Sequence, residues 1–172
     1  LALEALARYL AGDAELSAEL ADASRAQWRK RSRRYLAQLR GAVADRQAQH
    51  GEVAFLLEPE LKEGRGGLRD VHALRWAQLA RSVLEVGDEE ALDAAERVLF
   101  GARVELHRAV GRASDRLTLQ DQDAVAAGLG ISADELMARI ATAARTVSWI
   151  ADETWDRVGA SLSTSISLLG WR

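Results

Sequence analysis

Leu57-Glu58-Pro59-Glu60-Leu61-Lys62-Glu63-Gly64-Arg65-Gly66-Gly67-Leu68-Arg69-Asp70 interrupts a chain that otherwise reads as amphipathic helix. It holds the single proline and three of the 13 glycines. Pro59 cannot sit inside a helix and biases Glu58 toward an extended backbone. Gly64, Gly66 and Gly67 permit positive φ and close approach of other groups. An apolar helical stripe then starts through Leu68, Val71, Leu74 and Leu79. The stretch is therefore a charged, glycine-rich loop feeding a helix N-terminus. Unpaired N–H groups there, beside Lys62, Arg65 and Arg69, suit an anion such as a phosphate. The same residues also suit a plain helix–helix connection with capping glycines.

Working outward, the flanking sequence predicts helices. Residues 2–11 form a short one, with Leu3, Leu6 and Leu10 on one side. A long helix follows from Ala14 or Asp22 to Gln49, its packed stripe running through Trp28, Arg31, Tyr35, Leu39 and Val43. Phe55-Leu56-Leu57 is a short apolar run expected to anchor the loop to the core. After the loop, one helix is predicted over 67–86 and another from Asp88. The second carries Leu92, Leu99 and Leu106 seven apart, alternating with Ala95, Ala102 and Ala109, a seam for close antiparallel packing. Residues 111–115 interrupt it. A short helix spans 119–128, and Ser132-x-x-Glu135 is a capping box for the last one. That helix packs through Leu136, Ile140, Ala143, Val147, Ile150, Thr154 and Val158 until the pattern dissolves after Gly159. No useful period-2 alternation occurs. The expectation is an all-α bundle of five to seven helices over residues 1–160, with 161–172 as a tail or linker.

Composition narrows the function classes. The 172 residues suffice for one domain with a substantial core. Absence of cysteine excludes disulfides and thiolate metal sites. No apolar run approaches the ~20 residues of a membrane span, and no signal peptide is visible. The chain opens at Leu1 already in a helical pattern, which reads as a domain excised from a longer cytoplasmic protein. From Arg25 to Arg40 there are seven basic and no acidic residues; removing their +7 from the net −3 leaves −10 for the remainder. Such a face attracts a nucleotide, an acidic protein surface or its own acidic remainder. The acidic total argues against nucleic acid.

The central stretch, with its Leu-Glu-Pro, Lys-Glu-Gly-x-Gly-Gly and Leu-Arg-Asp, resembles the signature of the helical segment of PII uridylyltransferases. These bifunctional enzymes uridylylate and deuridylylate the nitrogen-signalling protein PII. A second block matches downstream: Asp115-Arg116-Leu117, Leu119, Gln122, Val125-Ala126 and Leu129-Gly130. The resemblance covers about residues 20 to 160. Glutamine synthetase adenylyltransferases carry a related signature. Glu60 stands where Asn or Asp is frequent, and Arg65 where Pro is frequent.

The resemblance implies a nucleotidyltransferase in which this helical domain closes one side of a nucleotide cleft. It implies a nucleotide- or partner-binding role for Lys62, Glu63, Gly64, Arg65, Gly66, Gly67, Arg69, Asp70 and Arg116, with UTP or ATP and PII as the ligands. Asp70 is also suited to capping the helix, and Arg116 and Gln122 to a structural polar network. Metal-assisted transfer in the family needs Gly-Ser followed by Asp-x-Asp, and Mg2+ serves the full-length enzyme. This chain has no Gly-Ser. Its Asp121-Gln122-Asp123 lies in a helical stretch, where i and i+2 side chains diverge. Uridylyl removal in the family uses a His-Asp metal domain, but His50, His72 and His107 are followed by Gly, Ala and Arg. The chain alone is thus expected to have no catalytic residue, no metal ligand and no cofactor. Two alternatives stand beside this reading. One is the helical domain of an adenylyltransferase acting on PII or glutamine synthetase; the other is a non-catalytic helical interaction module that docks through the 25–40 face.

Overall fold

The computed structural model describes residues 9–167. Six α-helices and one 3-10 turn follow in order: α1 (Ala14–Lys30), α2 (Ser32–His50), the turn (Val53–Phe55), α3 (Leu68–Ala80), α4 (Asp88–Val110), α5 (Leu119–Gly128) and α6 (Ala133–Ser167). No strand occurs among the described residues, only two isolated bridges. The all-α bundle expected from the sequence is what forms. The helix foreseen at residues 2–11 lies largely outside the described residues.

Helix α6 is the hub and packs against α2, α3, α4, α5 and the 3-10 turn. Its face Leu136, Ile140, Ala143, Val147, Ile150, Thr154 and Val158 is buried throughout. The facing seam of α4 buries Leu92, Ala95, Leu99, Ala102 and Leu106, while Ala109 at its end is exposed. The alanines let the helix axes approach closely, and the leucines fill the layers between them. Ser132 caps α6 by accepting from the Glu135 N–H at 3.2 Å. The return half of the box is absent, because the Glu135 carboxylate pairs with Arg139 instead.

Three boundaries and one packing expectation differ from the sequence reading. The long first helix is two helices, broken at Arg31 (φ −110°, ψ 21°). The break lets the Trp28 and Tyr35 rings stack, with centroids 4.7 Å apart and planes 11° from parallel. Residues seven apart on a straight helix are about 10.5 Å apart along the axis, so an unbroken helix forbids that contact. Trp28 also donates its indole N–H to the Trp76 carbonyl at 2.8 Å, which pins α1 to α3. Helix α3 stops at Ala80 rather than Val86, because the Gln78 carboxamide oxygen accepts from the Val83 and Leu84 N–H groups at 2.8 and 3.0 Å. The last helix passes Gly159 and continues to Ser167. At Gly159 the Arg40 guanidinium packs where a Cβ would stand, 2.9 Å from that position. Finally, Phe55-Leu56-Leu57 does not anchor the loop: its side chains are 75%, 42% and 64% exposed, and Val53 and Leu61 point inward instead.

Trp28→Ala removes the ring stack and the bridge to α3, and the expected loss is about 3–5 kcal/mol of unfolding free energy. Urea denaturation followed by circular dichroism measures it. A loss under about 1 kcal/mol would mean that the break at Arg31 does not depend on this contact.

Candidate functional site

Residues 51–67 are held by main-chain bonds together with the inward side chains of Val53 and Leu61. Val53 N–H donates to Arg65 C=O at 3.0 Å, and Arg65 N–H to Gly51 C=O at 2.8 Å. Across the bundle, Leu61 N–H donates to Asp115 C=O at 2.7 Å and Leu117 N–H to Pro59 C=O at 3.0 Å. Glu58 accepts from the Leu119 N–H at 3.1 Å, and the Gln122 carboxamide donates to the Leu57 carbonyl at 2.8 Å. The two sequence blocks singled out above therefore form one clasp, with Leu61 and Leu117 fully enclosed beneath it.

The free N–H groups expected at the start of α3 are not found. Glu60 turns its carboxylate back to accept from Glu63 and Gly64 N–H. Asp70 accepts from Gly66 N–H at 2.7 Å. Gly67, Leu68, Arg69 and Asp70 donate to Gly64, Leu61, Lys62 and Gly67 carbonyls. Every amide from Glu63 to Asp70 has a partner inside the chain, so the nest that suits a phosphate is closed by the protein's own carboxylates.

The side-chain charges are closed in the same way. Lys62 reaches Asp115 at 3.3 Å, and Arg103 donates to the other oxygen of that carboxylate at 2.6 Å. Arg69 pairs with Glu63 at 2.9 Å. Arg65 spans Glu52 and Asp152, each at 2.5 Å, and so ties the loop to α6. Arg116 is exposed and takes part through its backbone bridge to Glu60, with no side-chain ion pair among the described residues. Burial raises the Asp115 carboxyl, but Arg103 and Lys62 outweigh it and hold the group below the ordinary carboxylate value. Burial likewise raises Glu63, and Arg69 with Lys62 and Arg46 brings it down. For Arg65 burial works against the charge, and the Glu52 and Asp152 carboxylates push the pKa up. Burial pushes the His72 imidazole down, helped by Arg69 and Arg75, despite Glu96 at 3.5 Å.

Asp70 is the deepest member, with no exposed surface. It accepts from Arg46, from the Gln47 carboxamide at 3.1 Å and from Gly66 N–H. The helix-capping role expected of it is not found, since α3 has no side-chain cap and its first amides go to carbonyls; Asp70 instead takes the Gly66 amide ahead of the helix and joins α2 to the loop. Sequence reasoning missed Arg46 and Gln47, which stand on a helix face with no local signal of a buried partner.

The glycines divide by cause. Gly66 has φ +80°, and a Cβ there would lie 2.5 Å from the Ala144 carbonyl oxygen of α6. Gly67 sits at φ −87° and does not need left-handed freedom, contrary to expectation. Its constraint is space: a Cβ would meet the Gly64, Leu61 and Lys62 carbonyl oxygens at 2.8–2.9 Å. No group of three or more His, Asp or Glu that fits a metal ion occurs among the described residues, and Asp121 is occupied by the Thr118 hydroxyl at 2.5 Å.

Two outcomes follow from this electrostatic closure. Asp70→Ala leaves Arg46 buried without its partner, and the expected loss is about 3–5 kcal/mol by chemical denaturation; a loss below about 1 kcal/mol would mean that Arg46 finds solvent. The acid limb of stability has two steps. Groups whose folded pKa is depressed contribute above their unfolded value and lose that contribution as pH falls through the folded one. The decline therefore begins near the ordinary histidine value of about 6.5 as His72 protonates, and steepens below about 4 as Glu63 and Asp115 do. Urea midpoints against pH should show the lower step shrinking in Asp115→Asn and the upper step in His72→Gln. A profile unchanged in Asp115→Asn would remove that carboxylate from the account.

Residues 33–155 match the sequence pattern of the GlnD PII-uridylyltransferase family. The bifunctional uridylyltransferase/uridylyl-removing enzyme of Streptomyces coelicolor is 49% identical over 157 residues, which is 91% of this chain and 19% of that enzyme. The enzyme of the same description from Mycobacterium tuberculosis strain H37Rv is 39% identical over 153 residues, 85% of this chain and 19% of that enzyme. That from Cereibacter sphaeroides is 35% identical over 139 residues, 72% of this chain and 15% of that enzyme. The chain thus spans about a fifth of the length of the curated relatives it matches. No solved structure matches it significantly.

Proposed function

The chain belongs to the PII-uridylyltransferase family, and we propose that it is the helical part of a cytoplasmic bifunctional enzyme that transfers UMP from UTP to PII and removes it again. One observation carries this reading: the similarity runs through the bundle from α2 to α6 and includes both halves of the clasp. The uridylyltransferase description of the relatives favours UTP over ATP, and the family description favours PII over glutamine synthetase. This reading assigns the carboxylates and Mg2+ of transfer to other parts of such an enzyme, as the lack of a Gly-Ser followed by Asp-x-Asp in this chain suggests.

Within that enzyme the clasp serves as a brace. Lys62, Arg65 and Arg69 are each neutralised by a carboxylate, so a phosphate drawn to them must first displace one. With Glu63, Gly64, Gly66, Gly67, Asp70 and the Arg116 backbone they set the shape of the surface offered to the nucleotide cleft or to PII.

The test is magnesium-dependent transfer of labelled UMP from UTP to PII. The full-length protein is expected to be active, and the 172-residue chain alone inactive. Transfer by the chain alone, or none by the full-length protein, would overturn the proposal. The brace is tested by Lys62→Ala and Arg69→Ala in the full-length enzyme, with melting and transfer measured together. Each partly exposed pair is worth about 0.2–1 kcal/mol, so small losses of stability and activity should move in step. A loss of more than about tenfold in kcat/KM with unchanged melting, which corresponds to roughly 1.4 kcal/mol or more at the transition state, would place these cations on the nucleotide instead.

A further inference from the structure

Among the described residues, a cluster of cations without carboxylate partners lies at the α1–α2 break rather than at the glycine loop. Of the seven cations between Arg25 and Arg40, only Arg25 makes an ion pair among the described residues, with Asp22. Arg29 and Arg33 donate to the Leu79 and Leu162 carbonyls, and Arg40 packs over Gly159. Lys30, Arg31 and Arg34 are exposed and make no ion pair or side-chain hydrogen bond among the described residues. They surround an open depression of about 560 Å³ whose apolar lining is Ala37 and Leu162. The break concentrates this charge. Helix α2 starts without a side-chain cap and without an acid in its first turn, and carries Arg33 and Arg34 there instead. A helix start ordinarily favours acids and disfavours cations, so the placement costs stability and leaves a positive potential that an external anion relieves.

We propose that this break is a docking surface for an acidic protein segment bearing an apolar side chain, with Lys30, Arg31 and Arg34 meeting its carboxylates and Leu162 its apolar group. The chemistry selects this partner over other anions. Single-stranded nucleic acid stacks its bases on exposed aromatic rings, and the nearby aromatics, Trp28 and Tyr35, are buried and stacked on each other. A long polyanion would also meet the rest of the chain, whose formal charge is −10 once the basic run is set aside. A short acidic segment touches only the patch. Exposed cations on flexible stems give a fast, salt-sensitive encounter, and the apolar floor supplies the short-range part. The inference does not rest on the enzymatic reading above.

The experiment is fluorescence anisotropy on the full 172-residue chain with a labelled Glu-Glu-Asp-Leu-Glu-Glu peptide. Saturable binding is expected at about 0.05 M salt, weakening steeply by about 0.3 M as the charges are screened. The triple variant Lys30→Glu, Arg31→Glu and Arg34→Glu should lose at least about tenfold in affinity while its helix content by circular dichroism is unchanged. The milder Lys30→Gln, Arg31→Gln and Arg34→Gln set gives the same test should the reversal unfold the chain. Arg97→Glu, an exposed change elsewhere, should leave binding intact. Leu162→Ser should weaken this peptide but not one with Leu replaced by Ser. Absence of saturable binding at low salt, an equal loss in Arg97→Glu, or displacement of the peptide by UTP, single-stranded DNA or phosphatidylserine vesicles at lower concentration than by unlabelled peptide would each overturn the proposal.

Discussion

A carboxylate with no exposed surface, Asp70, sets the terms for the middle of this fold. Removing a charge from water is costly unless both its oxygens are met by good donors. Arg46 and Gln47 supply donors from α2, and the Gly66 amide supplies one from the loop. The two α2 donors stand 24 and 23 residues from Asp70 in sequence, so the requirement fixes the register of α2 against α3 and the path of the loop between them. Arg46 extends the constraint by donating to the Glu63 carbonyl as well. An apolar contact would tolerate sliding by a turn; a buried ion pair with a shared backbone amide does not. What the pair contributes is specificity of arrangement more than net stability, consistent with the general balance for buried ion pairs.

The same economy governs the charges around it. A glycine-rich loop before a helix looks like an anion site because its amides converge and cations stand nearby. In this chain Glu60 and Asp70 reach into that convergence first. Internal carboxylates are always at high effective concentration, so an external phosphate competes against groups that need no association entropy. The α1–α2 break is the opposite case: its cations have main-chain oxygens or solvent around them and no carboxylate except Asp22. Position in the electrostatic network, rather than residue type, separates the two basic regions.

Much of the architecture was legible in the sequence because it depends on local periodicity. The Leu92–Leu99–Leu106 seam and the Leu136-to-Val158 face read directly as packed helix, and both are buried. What escaped notice depends on contacts between distant residues. Nothing between Lys30 and Ser32 breaks a helix by propensity; the break goes with a stack between Trp28 and Tyr35 that the local pattern does not reveal. Helix α3 ends early because one side chain, Gln78, takes over the amides of Val83 and Leu84. Phe55, Leu56 and Leu57 looked like an anchor by hydrophobicity alone, yet backbone pairing holds the loop and leaves them outside. At the site itself, the identity of the loop residues was readable, but their partners Glu52, Asp115 and Asp152 were not.

The density of demanding residues in the 57–70 block has a backbone explanation. A loop that crosses a helical bundle without sheet pairing must satisfy each amide and carbonyl individually. Pro59 has no N–H to satisfy, and its carbonyl takes the Leu117 amide. Glu60 has the reach to turn back onto two amides. Gly64 and Gly67 admit carbonyl oxygens where any Cβ would collide, and Gly66 alone needs the left-handed region while lying against the Ala144 carbonyl of α6. Asp70 then closes the last amide from inside the core. Each identity is dictated by a neighbour's backbone, so a change at one position leaves a buried polar group unpaired at another. That mutual dependence is enough to make the block a distinctive signature without any of its side chains touching substrate, and it allows a sequence motif of this specificity to mark a fold element as well as a reaction.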